Sequence, residues 1–468
     1  MGILLRGGTV VTAADCYRAD VLIEDGRIAA VGERIGRPED GVLSVDGCFL
    51  FPGGVDPHTH FDLPVSGTVT ADDFASGSRA ALLGGTTTII DFATQFAGES
   101  LRQALDNWHA RAAGKCYTDY AFHMAVTDWT DNTAQEMKRL VAEAGVSSFK
   151  FYMAYKGTLQ VDDGVLLQAL TAAKSAGALV CLHCENGDMI QTLVARALAA
   201  GHVSPRHHAL TRPPVVEQEA TERALALAGL AGAPVYIVHL TCGGALRAVA
   251  GARLRGVEVY VETCPQYLLL DESCYQKEGF AGAKYVISPP LRSREEQRVL
   301  WAGLENNLVD TVATDHCSFN FKGQKELGLN DFSRIPGGIP GVEHRLGLLY
   351  TYGVAAGRIS LQRFVDLTAT RAARLFGLYP RKGTIAVGSD ADIVVWDPRG
   401  GTVITAAAQQ QRVDYTPYEG FALKGRPVHV FLRGRQVVKD GRLCDQRPGG
   451  EYLPRRPFAA KGGAVCIP

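Results

Sequence analysis

An imbalance of charge is missing from this sequence: 48 Lys and Arg face 49 Asp and Glu, leaving a formal net charge of -1 over 468 residues. Nothing electrostatic therefore points to nucleic acid or to a membrane as partner. Long apolar runs are missing too. The longest stretch of interest, "ALALAGLAGAPVYIVHL" at 224–240, is broken by Gly and Pro and reads as a helix end followed by a buried strand, so no membrane span is expected. The start, "MGILLRGG", lacks the apolar core and cleavage site of a signal peptide and the Ser or Thr of a myristoylation signal. A cytoplasmic location is the expectation. The 11 cysteines form an odd set without framework spacing, which argues against a disulfide scaffold and for reduced thiols. Cys181 and Cys184 have zinc-knuckle or redox spacing, but no second CxxC completes such a site, so buried thiols are expected there. There is no fixed-period repeat and no low-complexity tract. No GxGxxG follows a first strand, which weakens a dinucleotide-binding reading.

What remains is the balance of a globular protein, 46% hydrophobic and 21% charged, with enough length for a large core. Residues 1–52 read as short strands with Asp-Gly hairpin signals in "EDGR" and "VDGC", and the same texture returns at 377–443 with another Asp-Gly at 440–441. One small β-sandwich domain built from both chain ends is the economical reading. Between them, over 53–376, apolar runs alternate with Ala- and Leu-rich helical stretches. Eight strand candidates ("CFLFPGGVD", "TTTIIDF", "DYAFHMAVT", "SSFKFYM", "ALVCLHC", "PVYIVHL", "VEVYVET", "VDTVATD") predict an α/β fold of (β/α)8 barrel type, with a doubly wound open sheet as alternative. Residues 444–468 read as an extended tail, either docked on a neighbouring subunit or mobile.

Barrels of this kind do chemistry at the C-terminal ends of their strands. Six residues fall there: His58 and His60 after the first candidate strand, Lys150 in the fourth, His183 and His239 ending the fifth and sixth, and Asp315 after the eighth. Two residues apart on extended chain, His58 and His60 point to one side and can share a metal. Each histidine alone reads equally as a hydrogen-bonded structural group, and Asp315 as a helix N-cap. Their agreement favours a metal site, beside which Asp315 becomes a general base and acid. Lys150 in "SSFKFYM" sets an ammonium in an apolar strand; it either snorkels to a carboxylate, or its amine, neutralised by burial, adds CO2 to give a bridging carbamate. His316 is expected as an outer-layer or surface group, and His109, His202, His207, His208 and His344 as solvent or packing residues.

In "FPGGVDPHTHFDLP", "GGTTTIIDF", "SSFKFYMAYKG", "LHCENGDMI", "PVYIVHL", "VETCPQYLLLD", "SPPLR", "DTVATDHCSFNF", "FSRIPGGIPGVEHR" and "KGTIAVGSDADIVVWDP" the chain resembles the hydantoinase/dihydropyrimidinase family of cyclic amidohydrolases. The resemblance implies two Zn2+ per subunit: His58, His60 and Asp315 on one, His183 and His239 on the other, and carboxylated Lys150 with a hydroxide between them. It implies ring opening of 5-substituted hydantoins or dihydropyrimidines to N-carbamoyl amino acids, by attack of that hydroxide with Asp315 shuttling the proton and Tyr155 donating to the oxyanion. Ser288 and Gly337 match positions that hold the ring's amide edge, although many members carry Asn in place of Gly337. Leu63, Val65, Tyr152 and Leu159 match the pocket for the ring substituent. Related dihydroorotases and allantoinases follow HxH with Arg; here Phe61, Asp62 and Leu63 stand instead, which predicts an uncharged or aromatic substituent. A homotetramer, a dimer of dimers, is also implied. Alternative readings are a metal-free structural paralogue and an allantoinase-like hydrolase.

Overall fold

The computed structural model describes residues 2–444 and 446–459. Eight parallel strands follow one another around a single sheet in chain order: Gly54–Thr59, Thr86–Thr94, Asp119–Ala125, Ser148–Tyr152, Leu179–His183, Val235–Ile237, Val259–Thr263 and Thr311–Val312. An isolated parallel bridge between Thr59 and His316 brings the last strand's continuation to the first, and the His60 N–H donates to the His316 carbonyl at 2.8 Å. Sequential order with this return is a (β/α)8 barrel and not a doubly wound sheet, in which strand order reverses. The second strand, Thr86–Thr94, is buried at every position, as a strand covered on both faces must be.

The eighth strand has only two residues, so ladder bonds alone hold little there, and buried side chains take over. Arg345 Nη1 donates to the carbonyls of Val55 at 2.9 Å and Val312 at 3.0 Å, joining first strand to last. Asp56 accepts from the Thr314 hydroxyl at 2.7 Å across the same seam. Helices surround the barrel with legible ends. Phe74–Leu83 begins on a reciprocal Asp73/Ser76 capping box, and Pro214–Ala231 starts on a proline and stops at Gly232 with φ +58°.

One candidate strand proves to be two. In "CFLFPGGVD" the segment Phe49–Pro52 pairs with 393–396 in the other sheet, and the barrel strand starts at Gly54. Gly53 lies at the crossing, where a Cβ would collide with the Thr87 side chain. The second sheet has nine strands drawn from both chain ends, Ile3–Val11 through Phe49–Pro52 and Ile393–Val403 through Arg442–Leu443. Asp25-Gly26 and Asp440-Gly441 make hairpins with both residues at positive φ. Asp46-Gly47 does not: the strands flanking it, Gly41–Ser44 and Phe49–Pro52, both run parallel to Ile3–Val11 and do not pair with each other.

The described part of the tail runs beneath its own barrel. Leu453 N–H donates to the Tyr120 carbonyl at 2.7 Å, Arg455 N–H to Gly145 at 2.9 Å and Phe458 N–H to Gly177 at 2.7 Å, at the starts of the third, fourth and fifth strands. Residues 445 and 460–468 of the expected tail lie outside the described residues. Among the described residues no helix is long and apolar enough to cross a membrane.

Candidate active site

All six residues singled out at strand ends converge at the C-terminal mouth of the barrel. One ligand atom each of His58, His60 and Asp315 lies within 4.8 Å of the others, as a metal site requires. Asp315 Oδ1 is 3.1 Å from His58 Nε2 and 3.3 Å from His60 Nε2. Lys150 Nζ sits 2.9 Å from His58 Nε2 and 4.2 Å from the centre of the Phe92 ring. On the other side, His183 Nδ1 faces His239 Nε2 at 2.9 Å, and the His58 and His239 rings stack with centroids 5.5 Å apart.

Two carboxylates behind these rings fix which nitrogen points inward. Glu262 Oε1 is 2.6 Å from His58 Nδ1, and Glu185 Oε2 is 2.9 Å from His183 Nε2. A ring that donates N–H to a carboxylate presents its other nitrogen as a lone pair, so His58 offers Nε2 and His183 offers Nδ1 to the centre. Burial holds His58, His60 and His239 below the ordinary histidine range, the neutral form a metal needs. The same burial lowers Lys150 from its usual value. Asp315 is held below the carboxylate range: burial opposes this, and its close approach to His58, its hydrogen bond with His60 and the nearby Lys150 overcome it. Two of the converging residues, His239 at φ +37° and Asp315 at +51°, lie in the left-handed region, as does Tyr155 beside them at +68°. Non-glycine residues there cost about 1–3 kcal/mol each and gather at functional sites.

Above these residues opens a cavity of about 490 Å³ whose lining includes Lys150, His183, His239 and Asp315. Every proposed substrate contact borders it: Tyr155, Ser288 and Gly337, and also Leu63, Val65, Tyr152 and Leu159. The Tyr155 ring lies 5.1 Å from that of His183; burial pushes its pKa up, which keeps it a proton donor. Gly337 has ordinary backbone, and a Cβ there would meet only Ser288 Oγ at 3.7 Å.

Several expectations change. Phe61 is fully buried against Phe74 and His316 and takes no part in the cavity wall, and Asp62 pairs with Arg111 at 3.2 Å; of that trio only Leu63 reaches the cavity. His316 is not a surface group: it is buried, with Nε2 3.1 Å from Asp72 and Nδ1 accepting from the Gly341 and Val342 N–H groups. His208 also borders the cavity, donating Nε2–H to the Ile287 carbonyl at 2.6 Å. The cavity does contain an arginine, Arg212, which sequence reading missed; it is engaged by His208 at 3.3 Å and Glu185 at 4.0 Å. Glu262, Glu185 and Asp91, whose Oδ2 accepts from the Thr59 hydroxyl at 2.7 Å and Phe61 N–H at 2.9 Å, were missed as well. The signal was available for two of them, since Glu262 is a carboxylate in the apolar strand "VEVYVET" and Asp91 in "TTTIIDF". Cys181 and Cys184 are free and buried.

Comparison with known proteins gives this geometry a family. Residues 49–437 match the amidohydrolase family model. The chain is 50% identical over 457 residues to the D-hydantoinase of Geobacillus stearothermophilus, covering 98% of this chain and 97% of that one. It is 49% identical to the D-hydantoinase of Streptomyces coelicolor, with 97% of each covered. The crystal structure of dihydropyrimidinase from Brevibacillus agri superposes with a TM-score of 0.97 at 48% identity, over 98% of this chain and 100% of that one. A closed barrel, a His-His-Asp group at its mouth and this agreement along the whole chain show that the protein belongs to the amidohydrolase family.

Proposed function

We propose that this protein opens the cyclic amide of 5-substituted hydantoins and dihydropyrimidines to N-carbamoyl amino acids, at a centre of two zinc ions. The observation that carries the reading is the convergence of six separated donors, five of them lining one cavity and the sixth, His58, directly behind with Nε2 2.9 Å from Lys150 Nζ. The donor set fits such ions: His58 and His183 each give one ring N–H to a carboxylate and turn the other nitrogen to the centre, the arrangement of metal-bound imidazoles. His58, His60 and Asp315 would hold one ion, His183 and His239 the other, and Lys150 both. For Lys150 the reaction is addition of its neutral amine to CO2 with release of one proton, giving a carbamate with two oxygens. When bound, the ions acidify a water and polarise the ring carbonyl.

The chain's own residues supply the rest. Asp315 takes the proton from the attacking water and delivers it to the ring nitrogen as the C–N bond breaks, so the water's oxygen ends in the carboxylate product. Tyr155 donates its hydroxyl proton to the developing oxyanion, and Ser288 with backbone at Gly337 holds the amide edge. Leu63, Val65, Tyr152 and Leu159 form a wall without charge, which suits alkyl or aryl substituents. The similar D-hydantoinases support the D-enantiomers. A cytoplasmic homotetramer is part of the same reading. An allantoinase-like preference is disfavoured because Arg212 is tied to Glu185 and His208. A metal-free paralogue is disfavoured because no donor is lost.

The test is turnover of dihydrouracil, D-5-phenylhydantoin, allantoin and dihydroorotate by zinc-loaded protein, with the product identified. Formation of N-carbamoyl-D-phenylglycine or N-carbamoyl-β-alanine is expected. Preference for dihydroorotate would contradict the uncharged wall, and no turnover of any ring would overturn the proposal.

A further inference from the structure

We propose that Lys325 is a positioning residue that clamps together the two backbone segments flanking the ring edge of the substrate, 286–288 and 336–338. The inference rests on the cyclic-amide reading, in which Ser288 and Gly337 hold that edge. Lys325 is 0% exposed and does not border the cavity. Its Nζ donates to the carbonyls of Val286 at 2.9 Å, Pro336 at 2.7 Å and Gly338 at 2.7 Å. Three ammonium hydrogens meet three carbonyls, and the ion pairs found among the described residues give Lys325 no carboxylate.

The arrangement is specific to those segments. Two of the acceptors bracket Gly337, and the third stands two residues before Ser288. The segments touch each other directly through one bond, Gly338 N–H to the Val286 carbonyl at 3.0 Å, and His208 holds the carbonyl between, Ile287, at 2.6 Å. Burial pulls Lys325 down to about 7, while acceptance by three carbonyls favours the ammonium. An unpaired buried cation is a costly way to fill space, and a leucine or methionine would serve packing alone. What only the ammonium does is fix the distance between two strands of backbone that never pair as a sheet. Positioning of that kind governs ground-state and transition-state binding of the ring, since small displacements of a clamp are felt strongly.

The test uses full-length, zinc-loaded Lys325→Met and Lys325→Gln. Methionine keeps the stem and removes all three donors, whereas glutamine keeps two. For both dihydrouracil and 5-phenylhydantoin, which share the amide edge, KM should rise about tenfold in Lys325→Met and less in Lys325→Gln, with kcat within about threefold and zinc content unchanged. Amide hydrogen exchange should quicken in peptides covering 286–288 and 336–338, and not in the strands bearing His58, His183 and His239. An unchanged KM with a lowered melting temperature, loss of zinc, or failure of both variants to fold would overturn the assignment, because each makes Lys325 a general structural residue. Should the wild type open no cyclic amide, the functional reading fails by itself, and the exchange measurement still decides whether Lys325 clamps these segments.

Discussion

Replacing Glu262 by Gln removes one negative charge behind His58 and His239 and almost no volume. Glu262 Oε1 lies 2.6 Å from His58 Nδ1 and accepts the His239 N–H at 3.0 Å; Oε2 accepts the Tyr236 hydroxyl at 2.8 Å. A glutamine can keep its oxygen under both histidines and turn its NH2 to Tyr236, whose proton can swing to Thr311 Oγ1 at 2.6 Å. The contacts survive and the charge assistance goes. A hydrogen bond to a charged group contributes about 1.5–3 kcal/mol against about 1 for a neutral one, so the His58 bond weakens by about 1–2 kcal/mol. Burial pushes Glu262 up to about 8, opposed by three donors that favour the carboxylate, and bound cations add to that preference. Outer carboxylates of this kind change metal affinity by about 10–100-fold. The assay is metal retained per chain after equilibration with graded chelator, read by elemental analysis. A Glu262→Gln protein with native far-UV spectrum and the wild-type chelator midpoint would refute the reasoning.

Other expectations follow from the same geometry. Lys382 is buried with Nζ 2.6 Å from Asp119, 3.1 Å from Asp390 and 2.8 Å from Asp392; Asp119 and Asp390 also pair with Arg433 and Arg381, so Lys382→Met leaves buried Asp392 without a cation and should cost about 3–5 kcal/mol, seen as a lower thermal midpoint. Burial pushes Glu343 up to about 7, above the roughly 4.3 of an unfolded chain. The folded state then binds the proton more tightly, and wild-type stability falls as pH rises between those values, by at most about 4 kcal/mol. Glu343→Gln keeps an acceptor for the Gln410 and Gln411 N–H groups, so it should match wild type at low pH and exceed it near pH 8; equal midpoints at both would dismiss the argument. Gly337→Asn should leave kcat/KM within about threefold, because its Cβ meets only Ser288 Oγ at 3.7 Å; a loss beyond about tenfold would mean that the missing side chain matters.

The elements legible in the sequence are those governed by local pattern. Apolar runs bounded by turns located all eight barrel strands, and polar residues at their ends located His58, His60, Lys150, His183, His239 and Asp315. Long-range contacts left no such mark. The break of "CFLFPGGVD" at Gly53 depends on Thr87, and closure of the barrel depends on Arg345, which lies 290 residues from Val55. Phe61 follows His60 directly in sequence, but period-2 alternation from His60 sends it into the core against Gly77. Glu262 and Lys325 escaped because a single buried charge announces only that it has a partner, and the partners, His58 and three carbonyls, are distant in sequence.

The most direct measurement titrates zinc into metal-stripped protein in bicarbonate and follows N-carbamoyl product from D-5-phenylhydantoin. Activity should reach its plateau at about two zinc ions per chain and should be absent in Lys150→Ala at any zinc level. A plateau at about one ion, or full activity in Lys150→Ala, would contradict the paired-metal centre.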